Sequence, residues 1–113
     1  MNSSGFIRGM MSKNYDNEKF MLHVGQCIED QLKEWDDAYS VNIMKMKDYI
    51  FVVKRGEEDY WLEISELELR TLQDDWPYAL DQLIWTELER QGIEIKFGYG
   101  DYLDKVFGRY KSY

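Results

Sequence analysis

Apolar residues recur at intervals of three and four between Glu18 and Asp36. This spacing places side chains on one face of a helix, so the segment predicts an amphipathic helix. Its buried stripe is predicted to contain Phe20, Met21, Val24, Ile28, Leu32 and Trp35. Asp16 or Asn17 can cap its start by accepting a hydrogen bond from a free backbone N–H. Gly25 lies inside the helix, where glycine costs up to ~1 kcal/mol relative to alanine, so we expect a neighbouring element to approach closely there.

A second helix is predicted to open at Asp74-Asp75-Trp76-Pro77. Proline suits the first turn of a helix, and aspartates suit the positive end of its dipole. The buried stripe of this helix is predicted to contain Leu80, Leu83, Ile84 and Leu88. Gly92 stands where a left-handed residue commonly ends a helix.

Three segments between the two helices show patterns typical of strands. In the first and third segments, apolar residues alternate with others: Tyr39, Val41 and Ile43, then Tyr60, Leu62 and Ile64. The middle segment, Tyr49–Val53, is apolar on both faces, which favours a central strand. Turns at Lys47-Asp48 and around Gly56 would connect the segments, so we predict an antiparallel meander.

The remaining segments predict shorter elements. Ser65 and Glu68 match the Ser-x-x-Glu capping box, which favours a short helix over 66–73, while the alternation of Leu67 and Leu69 leaves a strand open. A further strand is predicted from the alternation of Ile93, Ile95 and Phe97. Asp101 is expected to cap a last helix with an apolar side made of Tyr102, Leu103, Val106, Phe107 and Tyr110.

These elements follow the order α-β-β-β-(short α)-α-β-α. The order predicts an α+β fold, in which helices pack on one face of a mainly antiparallel sheet of three to four strands. Residues 1–15 precede the first periodic segment and are predicted to be a flexible N-terminal tail. Residues 16–113 are predicted to form a single domain, because a chain of 113 residues has the usual size of one.

The net charge of −8, from 14 basic and 22 acidic residues, excludes several classes of partner. Phosphate backbones and anionic lipids repel such a chain, so we expect no direct nucleic-acid binding and no membrane binding. Cys27 is the single cysteine, which excludes an internal disulfide and fits a reducing compartment. Neither an apolar run of about 18 residues nor a secretory signal is recognisable, so we expect a cytoplasmic protein.

Groups that could carry catalysis or bind metal are few. His23 and Cys27 share a helical face at i, i+4, but a zinc site needs about four ligands and the sequence has no other histidine or cysteine. No Gly-x-Ser-x-Gly motif or complete phosphate-binding glycine loop is present. Adjacent acids in turns are usually solvated rather than catalytic pairs. We therefore expect no catalytic residue, no metal and no cofactor, and hence a protein that is not an enzyme.

The acidic excess belongs to one half of the chain. The segment 57–94 holds twelve acidic residues and two basic residues, Arg70 and Arg90. Such a half could attract a basic partner, with fast and salt-dependent association.

Aromatic residues add a second feature to this acidic half. Tyr78 and Trp85 lie beside the stripe of the second helix, and Trp61 points away from the buried side of its strand. Exposed aromatic rings among acids are typical of protein-binding hot spots. The predicted contact residues are Glu57, Glu58, Asp59, Trp61, Tyr78, Asp81, Trp85 and Glu89. The leading hypothesis is a small binding protein that docks on and modulates a basic protein partner, as an inhibitor, immunity protein, antitoxin or charge mimic does.

Two other hypotheses stay open. A self-associating accessory domain would form a homodimer through the apolar strand Tyr49–Val53 and an exposed Trp. A small ligand-binding or enzymatic domain would need a pocket between sheet and helices, lined by Tyr49, Phe51 and Trp76, with converging polar groups.

Overall fold

The computed structural model describes residues 5–108 and shows an α+β fold within them. Its helices and strands are α1 (Gly5–Asn14), α2 (Asn17–Trp35), β1 (Tyr39–Lys45), β2 (Tyr49–Arg55), β3 (Glu58–Ile64), α3 (Glu66–Asp75), α4 (Ala79–Arg90) and α5 (Tyr102–Val106). The α2 helix begins where the sequence predicts, because the Asp16 carboxylate accepts a 2.8 Å hydrogen bond from the backbone N–H of Lys19. The predicted α+β class is confirmed.

The three strands of residues 5–108 form the predicted antiparallel meander, in the order β1-β2-β3. Phe51 and Val53 on β2 and Ile64 on β3 are fully buried on the side that faces the helices. On the other side, Trp61 lies opposite Val52, and Met44 lies opposite Ile50. Because Trp61 and Met44 are exposed, this second face of the sheet is open to solvent, as one face of an antiparallel sheet commonly is.

Both outer edges of the sheet are bonded by side chains from helices. The Glu29 carboxylate of α2 accepts a 2.8 Å hydrogen bond from the N–H of Val41 on β1. The Gln91 carboxamide, just after α4, bonds the backbone of Trp61 on β3. Such contacts occupy backbone groups that otherwise invite pairing with another strand.

The segment after β3 is a helix, which resolves the alternative left open by the sequence. The Ser65 hydroxyl accepts a 3.0 Å hydrogen bond from the Glu68 N–H, so the capping box forms. The prediction that Asp74 and Asp75 open the second long helix is wrong, because α3 continues through Asp75 and α4 begins at Ala79. Pro77 explains this boundary, since the residue before a proline is driven to extended backbone and Trp76 has φ −146° and ψ 161°.

The further strand predicted from Ile93, Ile95 and Phe97 is not seen in the part of the chain that the structure describes. Among residues 5–108, this segment pairs with neither edge strand of the sheet. Phe97 packs instead against Phe107, with ring centroids 6.2 Å apart.

Asp101 stands before α5 but makes no side-chain cap. Tyr110, predicted for the last helix, lies outside the described residues.

The structure differs from the flexible tail expected for residues 1–15. Gly5–Asn14 form α1, and Arg8 at its centre is fully buried. The end of α1 is held by Gln73, whose amide donates hydrogen bonds to the Ser12 and Tyr15 carbonyls at 3.1 and 2.7 Å. The apolar pattern did not predict this helix, because its main anchor is a charge rather than a hydrophobic stripe.

That charge meets a buried carboxylate. The Arg8 guanidinium donates to Asp81 on α4, and the Tyr102 hydroxyl of α5 donates to the same carboxylate at 2.5 Å. Trp85 donates in turn to the Tyr102 oxygen at 3.2 Å. The guanidinium also lies over the Tyr78 ring, 4.7 Å from its centroid. One polar cluster therefore ties α1, α4 and α5 together.

The two charges of this cluster shift each other's pKa. Burial raises the pKa of Asp81, and the Arg8 charge and the Tyr102 hydrogen bond offset only part of that rise. Burial is the largest single influence on Arg8 and lowers its pKa, but the Asp81 charge and hydrogen bond, with smaller contributions from Tyr102 and Cys27, together outweigh it, so the net pKa of Arg8 is raised. Arg8 is therefore a permanent cation in the core.

Removing one member of this pair should destabilise the fold strongly. We expect Arg8→Ala to lower the free energy of unfolding by about 3–5 kcal/mol, because Asp81 is left as an uncompensated buried charge. Combining Arg8→Met with Asp81→Asn should recover most of the loss, since neither charge then remains. Urea denaturation measures both effects, with Lys13→Met on exposed α1 surface as the control. A small loss for Arg8→Ala would contradict the central role of the pair.

Gly25 marks the close approach that the sequence predicts. A Cβ at this position would lie 2.5 Å from Ile43 Cδ1 and 3.6 Å from Phe51 Cε2. The missing side chain therefore lets α2 pack directly on β1 and β2.

A double-mutant cycle tests this contact. We expect Gly25→Ala to lower the free energy of unfolding by about 1 kcal/mol, because the overlap with Ile43 outweighs the helix-propensity gain. In an Ile43→Val background, which lacks Cδ1, the same substitution should be neutral or stabilising. Gly9→Ala in α1, where the nearest atom is 3.9 Å away, is the matched control and should stabilise. If the changes in the free energy of unfolding caused by the two substitutions were simply additive, the Ile43 side chain would be free to rotate away from the new Cβ.

Candidate functional site

The structure divides the predicted contact residues into three groups. Tyr78 is 2% exposed, and Asp81 and Trp85 are fully buried. These three face the Arg8 cluster, so they cannot touch a partner on the surface. The sequence prediction of exposure for them is wrong because α4 is covered on one side by α1 and α5, neither of which the apolar pattern places there.

The second group lies together at the β2–β3 hairpin. Glu57, Glu58, Asp59 and Trp61 are all exposed. Arg55 neutralises part of the turn, because its guanidinium donates to Glu58 at 2.8 Å and lowers the pKa of that carboxyl. Asp59 lies 3.7 Å from the Lys54 ammonium, and Glu57 extends into solvent.

Glu89, the last predicted residue, lies away from this hairpin. It is exposed on α4 and lines a different groove, together with Ile95, Phe97 and Phe107. The structure therefore does not bring Glu89 together with Trp61.

A groove of about 490 Å³ runs beside β3, between the strand and the helices α3 and α4. Its lining residues, called the β3 groove below, are Trp61, Leu62, Glu63, Glu68, Leu83, Glu87, Arg90 and Gln91. Trp61 is 55% exposed at its wall. Three carboxylates and one guanidinium line it, so the β3 groove is acidic and has apolar surface at Trp61 and Leu83.

Gln91 and Arg90 organise the α4 side of this groove. The Gln91 amide nitrogen donates to the Trp61 carbonyl at 2.8 Å and to the Glu87 carboxylate at 3.1 Å. Its amide oxygen accepts from the Trp61 N–H at 3.1 Å. Arg90 forms an ion pair with Glu87, which lies three residues earlier on the helix. The Arg90 and Gln91 hydrogen bonds lower the pKa of Glu87 to about 2, so Glu87 stays ionised in mild acid and remains balanced by Arg90.

The buried Cys27 thiol lies in contact with the His23 imidazole on α2. Cys27 Sγ lies 3.5 Å from His23 Nε2 and 3.4 Å from the Arg8 guanidinium. Burial raises the pKa of Cys27 despite the Arg8 charge, so the thiol stays protonated and weakly nucleophilic. Burial, with a smaller contribution from Arg8, lowers the pKa of His23. Both groups belong to the side of α2 that packs against the Arg8 cluster.

Other chemical sites gain no support from the described residues. Within 5–108, no three His, Cys, Asp or Glu side chains are grouped as metal ligands. Tyr49 and Phe51, predicted for an enzymatic pocket, are buried in the core, and Trp76 packs on Tyr78 with ring centroids 5.9 Å apart. No helix in this region is long and apolar enough to cross a membrane.

Comparisons with other proteins add no assignment. No protein-family model matches the chain, and searches of curated proteins and of solved structures give no significant match. The geometry of the groove is therefore the basis on which a function is inferred.

Glu63, Glu68 and Glu87 belong to the acidic half of the sequence, but no pattern in the sequence assigns them to a site. One local signal was available, because Glu63 lies two residues after Trp61 and so shares its side of a strand. A second was the i, i+4 spacing of Glu87 and Gln91, which makes them neighbours on a helix. No local signal joins Gln91 to Trp61, which is thirty residues away in the chain.

The electrostatics of the groove can be tested directly. We expect carboxyl NMR titration to give a Glu87 pKa near 2 and expect Arg90→Ala to raise it toward the ordinary value of about 4.3. Lys33→Ala on exposed α2 surface should leave the Glu87 pKa unchanged. A Glu87 pKa that does not respond to Arg90→Ala would show that the ion pair does not persist in solution.

Proposed function

We propose that this protein is a non-enzymatic binding protein that docks on a basic protein partner through the β2–β3 hairpin and the β3 groove. The observation that carries this proposal is the position of Trp61. Trp61 is 55% exposed and lines a groove with three carboxylates, one of which is paired with Arg90. The acidic composition suits an inhibitor, immunity protein, antitoxin or charge mimic, and modulation of the partner is the role we assign.

Trp61 provides the apolar centre of the surface. Along β3, Asp59 and Glu63 lie two residues on either side of Trp61 and share its face of the strand. Large aromatic side chains dominate the energetics of interfaces, and a charged rim around them mainly sets the association rate. The arrangement therefore supports a partner with a hydrophobic contact point surrounded by lysine and arginine.

Affinity capture at low salt, from a lysate of the native source, tests this function. We expect the native chain to retain a basic protein, identifiable by mass spectrometry, and the triple variant Glu57→Lys/Glu58→Lys/Asp59→Lys to lose it. With the purified partner, the triple variant should slow association by about tenfold or more at low salt. Trp61→Ala should mainly speed dissociation, because it removes the buried contact point.

The matched control reverses three other exposed carboxylates, in the variant Asp37→Lys/Asp74→Lys/Asp75→Lys. It changes the net charge equally and leaves the hairpin and the β3 groove intact. If both triple variants lost the partner equally, binding would depend on the net charge of the protein and not on the hairpin surface. Unchanged association kinetics in the hairpin variant would contradict the proposal.

Self-association is a second candidate, and a specific observation favours it. The open face of the sheet carries Met44, 46% exposed, and Trp61, opposite half-buried Ile50 and Val52. If this apolar face joins two copies, sedimentation equilibrium should detect a dimer, and Val52→Lys should make it monomeric. A monomer at high concentration would contradict this alternative and leave the basic partner as the better candidate.

A further inference from the structure

The outer edge of β3 has unpaired peptide groups. In residues 5–108, β3 pairs with β2 alone. The N–H and C=O of Trp61 point away from β2, since both bond Gln91. Backbone groups alternate between the two sides of a strand, so those of Asp59 and Glu63 point toward the same outer edge. This edge borders the β3 groove.

The Gln91 side chain occupies this edge in the way that a peptide group would. A carboxamide has the donor and acceptor of a backbone amide, and Gln91 uses both, at 2.8 and 3.1 Å, on one residue of the strand. The other edge of the sheet differs. There the Glu29 carboxylate accepts from Val41 but cannot donate, and its charge repels an incoming carbonyl. The β3 edge alone of the two shows the hydrogen-bond pattern of strand pairing.

The charge of the groove indicates the composition of a strand that would fit. The Glu63 and Glu68 carboxylates line the groove at this edge, next to the Arg90–Glu87 ion pair, while Trp61 and Leu83 provide apolar contact. Lysine or arginine side chains that alternate with apolar ones would meet both kinds of surface, because successive side chains of a strand point to opposite faces.

We propose that the β3 edge pairs with an extended basic segment of a partner protein, which displaces the Gln91 carboxamide and adds a fourth strand to the sheet. The inference rests on the proposed function and specifies how the partner is held. Main-chain hydrogen bonds provide the attachment, and the carboxylates of the β3 groove select a basic segment. In the unbound protein, the Gln91 carboxamide bonds the Trp61 backbone. It releases these bonds when the segment binds.

A synthetic peptide tests the pairing on the full chain. The peptide alternates lysine with valine over seven residues, the length of β3. We expect it to bind at low salt, with NMR shifts at the amides of Asp59, Trp61 and Glu63. The same peptide with every backbone amide N-methylated keeps its side chains and charge, and it should bind at least about tenfold more weakly, because it lacks the N–H donors.

Substitution of Gln91 tests whether its carboxamide competes with the peptide for the Trp61 backbone. Gln91→Ala removes the competing carboxamide and should tighten peptide binding about fivefold. Gln26→Ala is the matched control, because that exposed glutamine bonds Asp30 on α2 and is distant from β3 along the chain. Glu63→Gln/Glu68→Gln should weaken binding, most clearly at low salt.

Three results would overturn the inference. Equal binding of the methylated peptide would exclude main-chain pairing and leave docking by charge in place. Absence of peptide binding in both the native chain and Gln91→Ala would exclude the edge as a strand acceptor. Dimerisation of Gln91→Ala without peptide would identify a second copy as the occupant. None of these decides the proposed function, which fails independently if the native chain captures no basic protein.

Discussion

A fully buried ion pair between Arg8 and Asp81 is the constraint on which the rest of this fold depends. Two charges in a core cost least when each compensates the other and further hydrogen bonds satisfy the remaining donors and acceptors; here most are satisfied, although Arg8 Nε has no partner among the described residues. Tyr102 provides such a bond to the carboxylate, and the Pro77 carbonyl accepts another from Arg8 at 3.2 Å. The pair therefore fixes an N-terminal helix, a central helix and a C-terminal helix in one arrangement, although the chain separates its two members by 73 residues.

The same pair determines which side of α4 is available to a partner. Asp81 and Trp85 direct one side of the helix inward toward α1 and α5. Glu87 and Gln91, further along the helix, then face β3 and form one wall of the β3 groove. Rigid elements position binding groups better than loops do. The acidic groove and the buried cluster thus lie on two sides of the same helix, α4. Loss of the Arg8–Asp81 pair would therefore disturb the groove as well as the core.

Local periodicity accounts for the parts of the fold that could be predicted. The stripe of α2, the alternation of β1 and β3, and the Ser65 capping box each depend on neighbours within a few residues, which a sequence displays directly. Arg8 shows the limit of this reasoning, because nothing near it indicates a partner 73 residues away. Ile93–Phe97 shows another limit. Its alternation is real, but whether an alternating segment becomes a strand depends on the tertiary contacts available to it, which the sequence does not display.

The candidate site was predictable in composition but not in geometry. The acidic half and Trp61 were visible in the sequence, and the hairpin brings Trp61 near Glu57, Glu58 and Asp59. Tyr78 and Trp85 were misassigned because their position beside the apolar stripe fits an exposed flank as well as a helix covered on two sides. The choice between those cases depended on α1, whose burial required knowledge of the Arg8–Asp81 pair.

The Gln91 contact affects the free energy of strand addition, because an added strand must replace the hydrogen bonds that Gln91 makes to Trp61. Exchanging a carboxamide for a peptide group at Trp61 replaces two amide hydrogen bonds with two others, so that step is close to neutral. A partner would therefore gain affinity from the outward groups of Asp59 and Glu63 and from side chains that enter the groove. Those gains must exceed the entropy lost when an extended segment is ordered. An uncharged or acidic segment would gain the main-chain bonds and the apolar contacts, but no attraction to the carboxylates of the groove. The exchange at Trp61 does not distinguish one segment from another. The attraction between the carboxylates of the groove and lysine or arginine side chains therefore provides the selectivity for basic segments.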